Sequence, residues 1–383
     1  LSENIPDHWQ IVRWLTGFSG SSGIVVITDS FTGLWTDSRY YLQAEKQLSG
    51  TDFIVMKPGT GQAADHVSWL YDNLKTGEKI ALDGRLFSVS SFRKLESKLR
   101  EKKILIDHSC DIVSELWKDR PALPSSSAFD HPVRFAGKDR SVKIKEVREE
   151  MKRLNVDHHL LTSCDDIMWL LNIRGNDFPY SPMLMSFLLV SENRIDLFAG
   201  REKIPGDMVS EFEKQGILIH SYDGLAGIIS SLKAGSVMLV SPGKVSISVW
   251  LSIPDHIRKV EGESIPAGMK SVKNNSEIEN IGRVMIRDGV ALTKFFCWFE
   301  GRRGVSGLTE RSVKNKLLDL RKLQDGFLCP SFDTIAAYNE HGALPHYTQT
   351  SESNSAIGSE GLLLIDSGGH YTGGTTDITR TIS

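Results

Sequence analysis

No part of this sequence restricts its fold more than the stretch GLLLIDSGGHYTGGTTDITRTIS at its end. Leu362 to Ile365 is an apolar run of buried-strand type that closes on Asp366. Two glycine pairs, Gly368-Gly369 and Gly373-Gly374, punctuate the next segment, and the β-branched run Thr375 to Thr381 carries Asp377 inside it. The pattern predicts two strands joined across a glycine-rich turn region. The aspartates stand 11 positions apart, and adjacent antiparallel strands bring such residues side by side on one face. Two carboxylates held together repel each other and lose hydration on burial. A divalent cation offsets that cost, and paired hard oxygen ligands suit manganese, magnesium or a mixed oxygen/histidine site. The same spacing also fits a surface hairpin in which both aspartates are turn or cap residues, and spacing alone leaves both readings standing.

A second element lies upstream in SFDTIAAYNEHGALPHYTQT, which places His341 and His346 25 and 20 positions before Asp366. A histidine beside a hydrolytic metal site can relay a proton or hold a developing oxyanion. His346, between Pro345 and Tyr347, sits in a restricted, partly apolar context. An ordinary loop histidine is the plain alternative.

The 383 residues favour two or three domains. A net charge of -3 supplies no field for nucleic acid or an anionic membrane, and no apolar run approaches the roughly 20 residues that span a bilayer. Cys110, Cys164, Cys297 and Cys329 lie far apart without metal-type spacing, as buried or free thiols of a reducing compartment do. The chain begins at Leu1 without methionine, so the cytoplasmic expectation rests on these thiols and not on its N-terminus.

Composition shifts mark the boundaries. Up to about residue 125 the chain reads as an α/β domain: a hairpin from Ile24 to Thr36, a helix starting near Asp37, a strand in KIALDG and an amphipathic helix in SVSSFRKLESKLREK. RPALPSSSAF is a linker. Residues 126–268 repeat the scheme, with a charged helix from Val142 to Leu154, a strand from Asp157 to Thr162 and a hairpin with arms MSFLLVS and RIDLFA. From 269 onward Ser276 and Glu279 form a capping-box pattern. The helix they open carries Ile278, Ile281, Met285, Leu292, Phe296 and Phe299 on one apolar face. A further helix runs from near Thr309 to Asp325.

Taken together, SFDTIAAYNEHGALPHY, LLIDSGGHYTGGTTDITRT and DDIMWLLNIRGND closely resemble the Xaa-Pro aminopeptidases (aminopeptidase P) of the long, three-domain cytosolic type. GFSGSSGIVVIT with GLWTDSRYYLQAEKQL resembles the first domain of that group, and SVKNNSEIENIGRVMIRDGVAL the entry to its catalytic domain. The resemblance covers essentially the whole chain. It implies two creatinase-N-like α/β domains, 1–125 and 126–268, followed by the first part of a pita-bread catalytic domain, 269–383. The function it implies is metal-dependent hydrolysis of the N-terminal Xaa-Pro bond through a hydroxide shared by two manganese ions, on peptides with proline in second position. It implies a homodimer as well. Asp366 and Asp377 fall on metal-ligand positions, His346 on a catalytic, substrate-contacting histidine, and Arg39 on a peptide-contacting arginine. The family's further metal-binding histidine and two glutamates have no counterpart here, and its first strand normally precedes a segment like LSENIP. The expectation is therefore a chain truncated at both ends and inactive as it stands.

Three rivals remain at this point: a prolidase, a methionine aminopeptidase-type hydrolase, or a non-catalytic binding relative. From another class comes a dinucleotide site, since PGTGQAAD offers Gly59, Gly61 and Ala64 after an apolar run, with Asp83 further on. In NIRGND, Asn172 to Asp177, a charge pair and a glycine turn suit either a brace near a domain boundary or a plain turn. His158 and His159 read as packing or surface residues.

Overall fold

A computed structural model of the chain describes residues 4–61, 63–302 and 307–383. The backbone packs as two units. One comprises Ala64–Phe178 and Met183–Lys273 with the segment ending at Ile11; the other comprises Val12–Ala63, Pro179–Pro182 and Asn274–Ser383.

The first unit is built on six strands in the spatial order Ile217–His220, Ile195–Phe198, Phe187–Ser191, His158–Leu161, Val237–Val240 and Arg258–Glu261. The expected hairpin forms its antiparallel centre, Phe187–Ser191 against Ile195–Phe198. Side chains alternate across a strand, so successive residues feed two different cores. Leu161, Leu188, Val190 and Leu239 pack under the helices Arg140–Arg153 and Gly206–Lys214. Leu160, Leu189, Met238 and Val240 pack on the other face with Val89 and Phe92 of the helix Val89–Arg100. Each such side chain, fully buried, stabilises the fold by roughly 1.5–3 kcal/mol. Asp177, in the NIRGND segment, is buried and structural. It accepts from Ser126 Oγ at 2.6 Å, Met185 N at 2.7 Å and Lys203 Nζ at 2.9 Å, tying the linker to this core.

The dinucleotide reading fails in this region. The strand Ile54–Met56 belongs to the second unit, and the next helix, His66–Asn73, belongs to the first. The start of that helix is also already filled: Asp65 accepts from Val67 N and Ser68 N, where a pyrophosphate would have to sit. Gln62 of that motif lies outside the described residues.

In the second unit, Ile24–Thr28, Phe31–Trp35 and Ile54–Met56 form one small sheet. The helix between its strands Phe31–Trp35 and Ile54–Met56 starts at Tyr41 rather than near Asp37. Asp37 instead captures the backbone N–H and the side chain of Arg39, a local turn that competes with helix. The long helix Asn275–Glu300 also starts elsewhere than expected: Asn274 and Glu277 form the capping box, not Ser276 and Glu279. NNSEIE satisfies both registers, and the earlier one gains a helical residue pair. Its buried stripe is Asn280, Val284, Asp288, Ala291, Leu292, Phe295 and Phe299, whereas Ile278 and Met285 are exposed. The helix Glu310–Lys322, capped by Thr309, packs beside it.

Two three-stranded sheets complete this unit. One orders Phe327–Pro330, Gly369–Tyr371 and Gly374–Thr375; the other orders Ile335–Tyr338, Leu363–Ser367 and Ile378–Ile382. In Leu363–Ser367 burial alternates, so Leu363, Ile365 and Ser367 face the helices and Asp366 faces the other way.

Candidate metal centre

Asp366 stands in the middle strand of its sheet, opposite Ile335 on one side and Thr379 on the other. The strand that carries Thr379 begins at Ile378, so Asp377 lies just outside the ladder rather than inside a strand running from Thr375. Two positions before Thr379, Asp377 still occupies the same-face diagonal to Asp366. Burial, and then the neighbouring Asp366 charge, push the Asp377 carboxyl above the usual carboxylate range.

Thr379 Oγ1 donates to Asp366 Oδ1 at 2.7 Å, which holds that carboxylate in orientation. Among the described residues no lysine, arginine or histidine forms an ion pair with either acid. Hard oxygen donors, mutual repulsion and no basic counter-charge fit a divalent cation. Among the described residues no group of three or more histidine, cysteine, aspartate or glutamate side chains is close enough to hold a metal ion.

What fixes Asp377 is the residue before it. Thr376 N donates to Gly369 O at 2.9 Å, Thr376 Oγ1 accepts from Gly369 N at 3.0 Å, and Thr376 O accepts from Ser331 Oγ at 2.9 Å. Thr376 Oγ1 in turn donates to Asp288 Oδ2 at 2.9 Å, and Tyr371 Oη donates to Asp288 Oδ1 at 2.8 Å. Asp288 is 0% exposed and receives the Arg321 guanidinium on both oxygens. A Cβ on Gly368 would stand 2.0 Å from Thr376 O, so glycine there is a steric requirement. The sequence signal for this network is Asp288 itself, an acid on the buried stripe of an amphipathic helix, and such an acid demands a partner.

His346 follows the short helical turn Asn339–Ala343. Its Nδ1 is hydrogen-bonded to the Tyr40 hydroxyl, and the two rings meet edge to face with centroids 5.1 Å apart. Tyr40 is 2% exposed and packs with Phe18, Leu34, Ala44 and Leu48, while its hydroxyl also meets Ser21 Oγ at 2.7 Å. Arg39 is oriented differently from its neighbour. It forks onto Asp37 through Nε and Nη2, both at 2.8 Å, and its guanidinium lies 5.2 Å from the Tyr40 ring centroid. The Arg39 bonds lower the Asp37 carboxyl to about 2. His341, the other candidate histidine, bonds Glu310 Oε1 at 2.8 Å. Glu310 is fully buried and also accepts from Tyr338 N, Tyr347 Oη and Ser355 N, so His341 belongs to a structural hub.

Three stretches of the chain match known domain families. Residues 10–114 and 119–277 each match a creatinase/prolidase N-terminal domain, and residues 279–383 match metallopeptidase family M24. The chain is 35% identical to an Xaa-Pro aminopeptidase of Caenorhabditis elegans, over 100% of its own length and 63% of that protein. It is 32% identical to aminopeptidase P2 of Arabidopsis thaliana, over 100% of its own length and 58% of the relative. It superposes on the crystal structure of X-prolyl aminopeptidase from Caenorhabditis elegans with a TM-score of 0.94 at 34% identity, covering 100% of this chain and 63% of that one. That protein is described as a cytosolic enzyme with a di-nuclear active site. The chain thus spans about three fifths of the length of these relatives.

Proposed function

This chain belongs to the Xaa-Pro aminopeptidase family, and from that premise we propose that the protein carrying it is a metal-dependent aminopeptidase that hydrolyses the bond between an N-terminal residue and a following proline. The observation that carries the proposal is the pairing of Asp366 and Asp377 on one face, with mutual repulsion and, among the described residues, no ion pair to relieve it. In this reading both acids are ligands of a site for two manganese ions. Such ions, when bound, acidify a water and polarise a carbonyl.

The chain's own residues divide the remaining work. Asp366 and Asp377 stand on one face of the sheet, and Thr379 keeps the first from turning away. His346 donates a hydrogen bond to the oxygen of the scissile carbonyl as negative charge develops there. Arg39 contacts the bound peptide. An imide bond before proline has no N–H, so selection for it rests on gripping the ring rather than on that donor.

The domain division proposed with this function is 1–125, 126–268 and 269–383, supported by the three family matches. A cytosolic setting is proposed from the description of the nematode enzyme, and a homodimer as the assembly. The test is hydrolysis of a peptide series by the protein carrying this chain. Release of the first residue from Xaa-Pro peptides of three or more residues, but not from Xaa-Ala peptides, and its loss on chelation, supports the proposal. Cleavage confined to dipeptides points to a prolidase, and equal cleavage of the alanine series overturns the proline specificity.

A further inference from the structure

We propose that Tyr40 is a positioning residue for His346: its phenol fixes the imidazole so that Nε2 carries the proton offered to substrate. The proposal rests on the reading of His346 given above, and it concerns two residues 306 positions apart in the chain.

A buried tyrosine hydroxyl requires a partner. Tyr40 has two, Ser21 Oγ and His346 Nδ1. Its ring has little freedom to choose others. Phe18 meets it edge-on with centroids 5.8 Å apart, and Leu34, Ala44 and Leu48 enclose it. The turn that brings in Ser21 is equally constrained: a Cβ on Gly20 would stand 2.2 Å from Phe18 and 2.8 Å from Tyr40.

The direction of the hydrogen bonds follows from donor and acceptor strength. A phenol is more acidic than an aliphatic alcohol, so Tyr40 is the stronger donor of the two hydroxyls. The unprotonated imidazole nitrogen is the best acceptor in the set. Tyr40 Oη therefore donates to His346 Nδ1, and Ser21 donates to Tyr40 Oη. With Nδ1 accepting, neutral His346 bears its proton on Nε2. When His346 is protonated, Nδ1–H donates instead, and the phenol turns its own hydrogen to Ser21. Both hydroxyl rotors serve both states, so Nδ1 is partnered throughout and Nε2 is a donor throughout. Among the described residues no protein group bonds Nε2. That nitrogen is the one left for an oxygen of the substrate.

The experiment uses the protein carrying this chain, labelled with nitrogen-15 at histidine. The His346 ring is assigned by its loss in His346→Asn. The expected spectrum of the neutral ring shows Nε2 protonated and Nδ1 bare. Tyr40→Phe keeps the ring packing and removes the hydroxyl; it should mix the tautomers. It should also lower kcat for an Xaa-Pro peptide by between about 10- and 100-fold, with KM within about twofold. Ser21→Ala should shift both readouts in the same direction by less, and it serves if Tyr40→Phe does not fold. An unchanged tautomer in both variants, or a change in KM alone, overturns the proposal. If the unaltered protein does not cleave Xaa-Pro peptides, the function proposed above fails while the nitrogen spectra still decide the role of Tyr40.

Discussion

Asp288 and Arg321 form a fully buried fork, with Nε to Oδ1 at 2.7 Å and Nη2 to Oδ2 at 3.0 Å, two helices joined face to face by opposite charges. The carboxylate has capacity left after that fork, and Tyr371 and Thr376 use it. Burial, and then its bond to Asp288, push the Tyr371 phenol well above its usual range, so it remains a donor at any pH the protein meets. The fork thus reaches Asp377 through a single residue, Thr376.

Breaking it should be felt both in stability and at the metal centre. Asp288→Asn leaves the Arg321 charge buried without a counter-charge, which costs about 3–5 kcal/mol. It also replaces one of the two acceptor oxygens with a donor, so Tyr371 and Thr376 no longer each have an oxygen to donate to. Chemical denaturation checks the first effect. Metal titration of the folded fraction checks the second, which should be a weakening of between about 10- and 100-fold. Asp319→Asn, on the exposed side of the same helix as Arg321, is the control and should change neither.

The two histidines of the upstream segment should separate cleanly. His341 donates to a buried carboxylate and stacks on Tyr347, with centroids 4.4 Å apart, so His341→Asn should cost about 1–3 kcal/mol of stability. His346 bonds a residue that keeps a second partner, Ser21, so His346→Asn should lower stability by less than about 1 kcal/mol. Its effect should fall on turnover instead, by at least about 100-fold. Thermal unfolding and peptide hydrolysis of the two variants make the comparison.

A pH effect is expected from the first unit. His159 donates through Nδ1 to Leu239 O and accepts the Ile265 N–H at Nε2, so a second proton would face a donor. Burial lowers its pKa to about 4 from 6.5. The unfolded chain takes up that proton near 6.5 and the folded one only near 4. Stability from this residue is therefore fully present above about pH 6.5 and is lost as pH falls toward 4, by about 3 kcal/mol at the lower limit. Denaturant midpoints measured from pH 7 to 4 should fall, and His159→Gln, which offers one donor and one acceptor, should flatten the slope.

Much of this molecule was legible in its sequence. The sequence places the 187–198 hairpin and, to within a few residues at each end, the helices Arg140–Arg153 and Glu310–Lys322. The Asp366 strand could be read because four apolar residues and a glycine pair leave few other conformations. Boundaries were harder where two registers satisfied one rule, as at Asn274 and Ser276. The apolar face of the long helix was misplaced for a related reason. Its buried stripe includes Asn280 and Asp288, and a count of apolar residues passes over both. Tyr40 was invisible as a site residue, because nothing local in WTDSRY says that position 346 lies against it. Contacts of that separation are set by tertiary packing and leave no periodic trace.

The central claim is that Asp366 and Asp377 share a cation, and manganese binding measures it most directly. The protein carrying this chain, its Asp366→Asn and Asp377→Asn variants and the double variant would be titrated with Mn2+ while free ion is followed by its paramagnetic resonance signal. The account predicts that each single replacement weakens binding at least tenfold and that the double variant is little worse than either, as residues that act on one ligand are not additive. Undiminished binding in both single variants would contradict it.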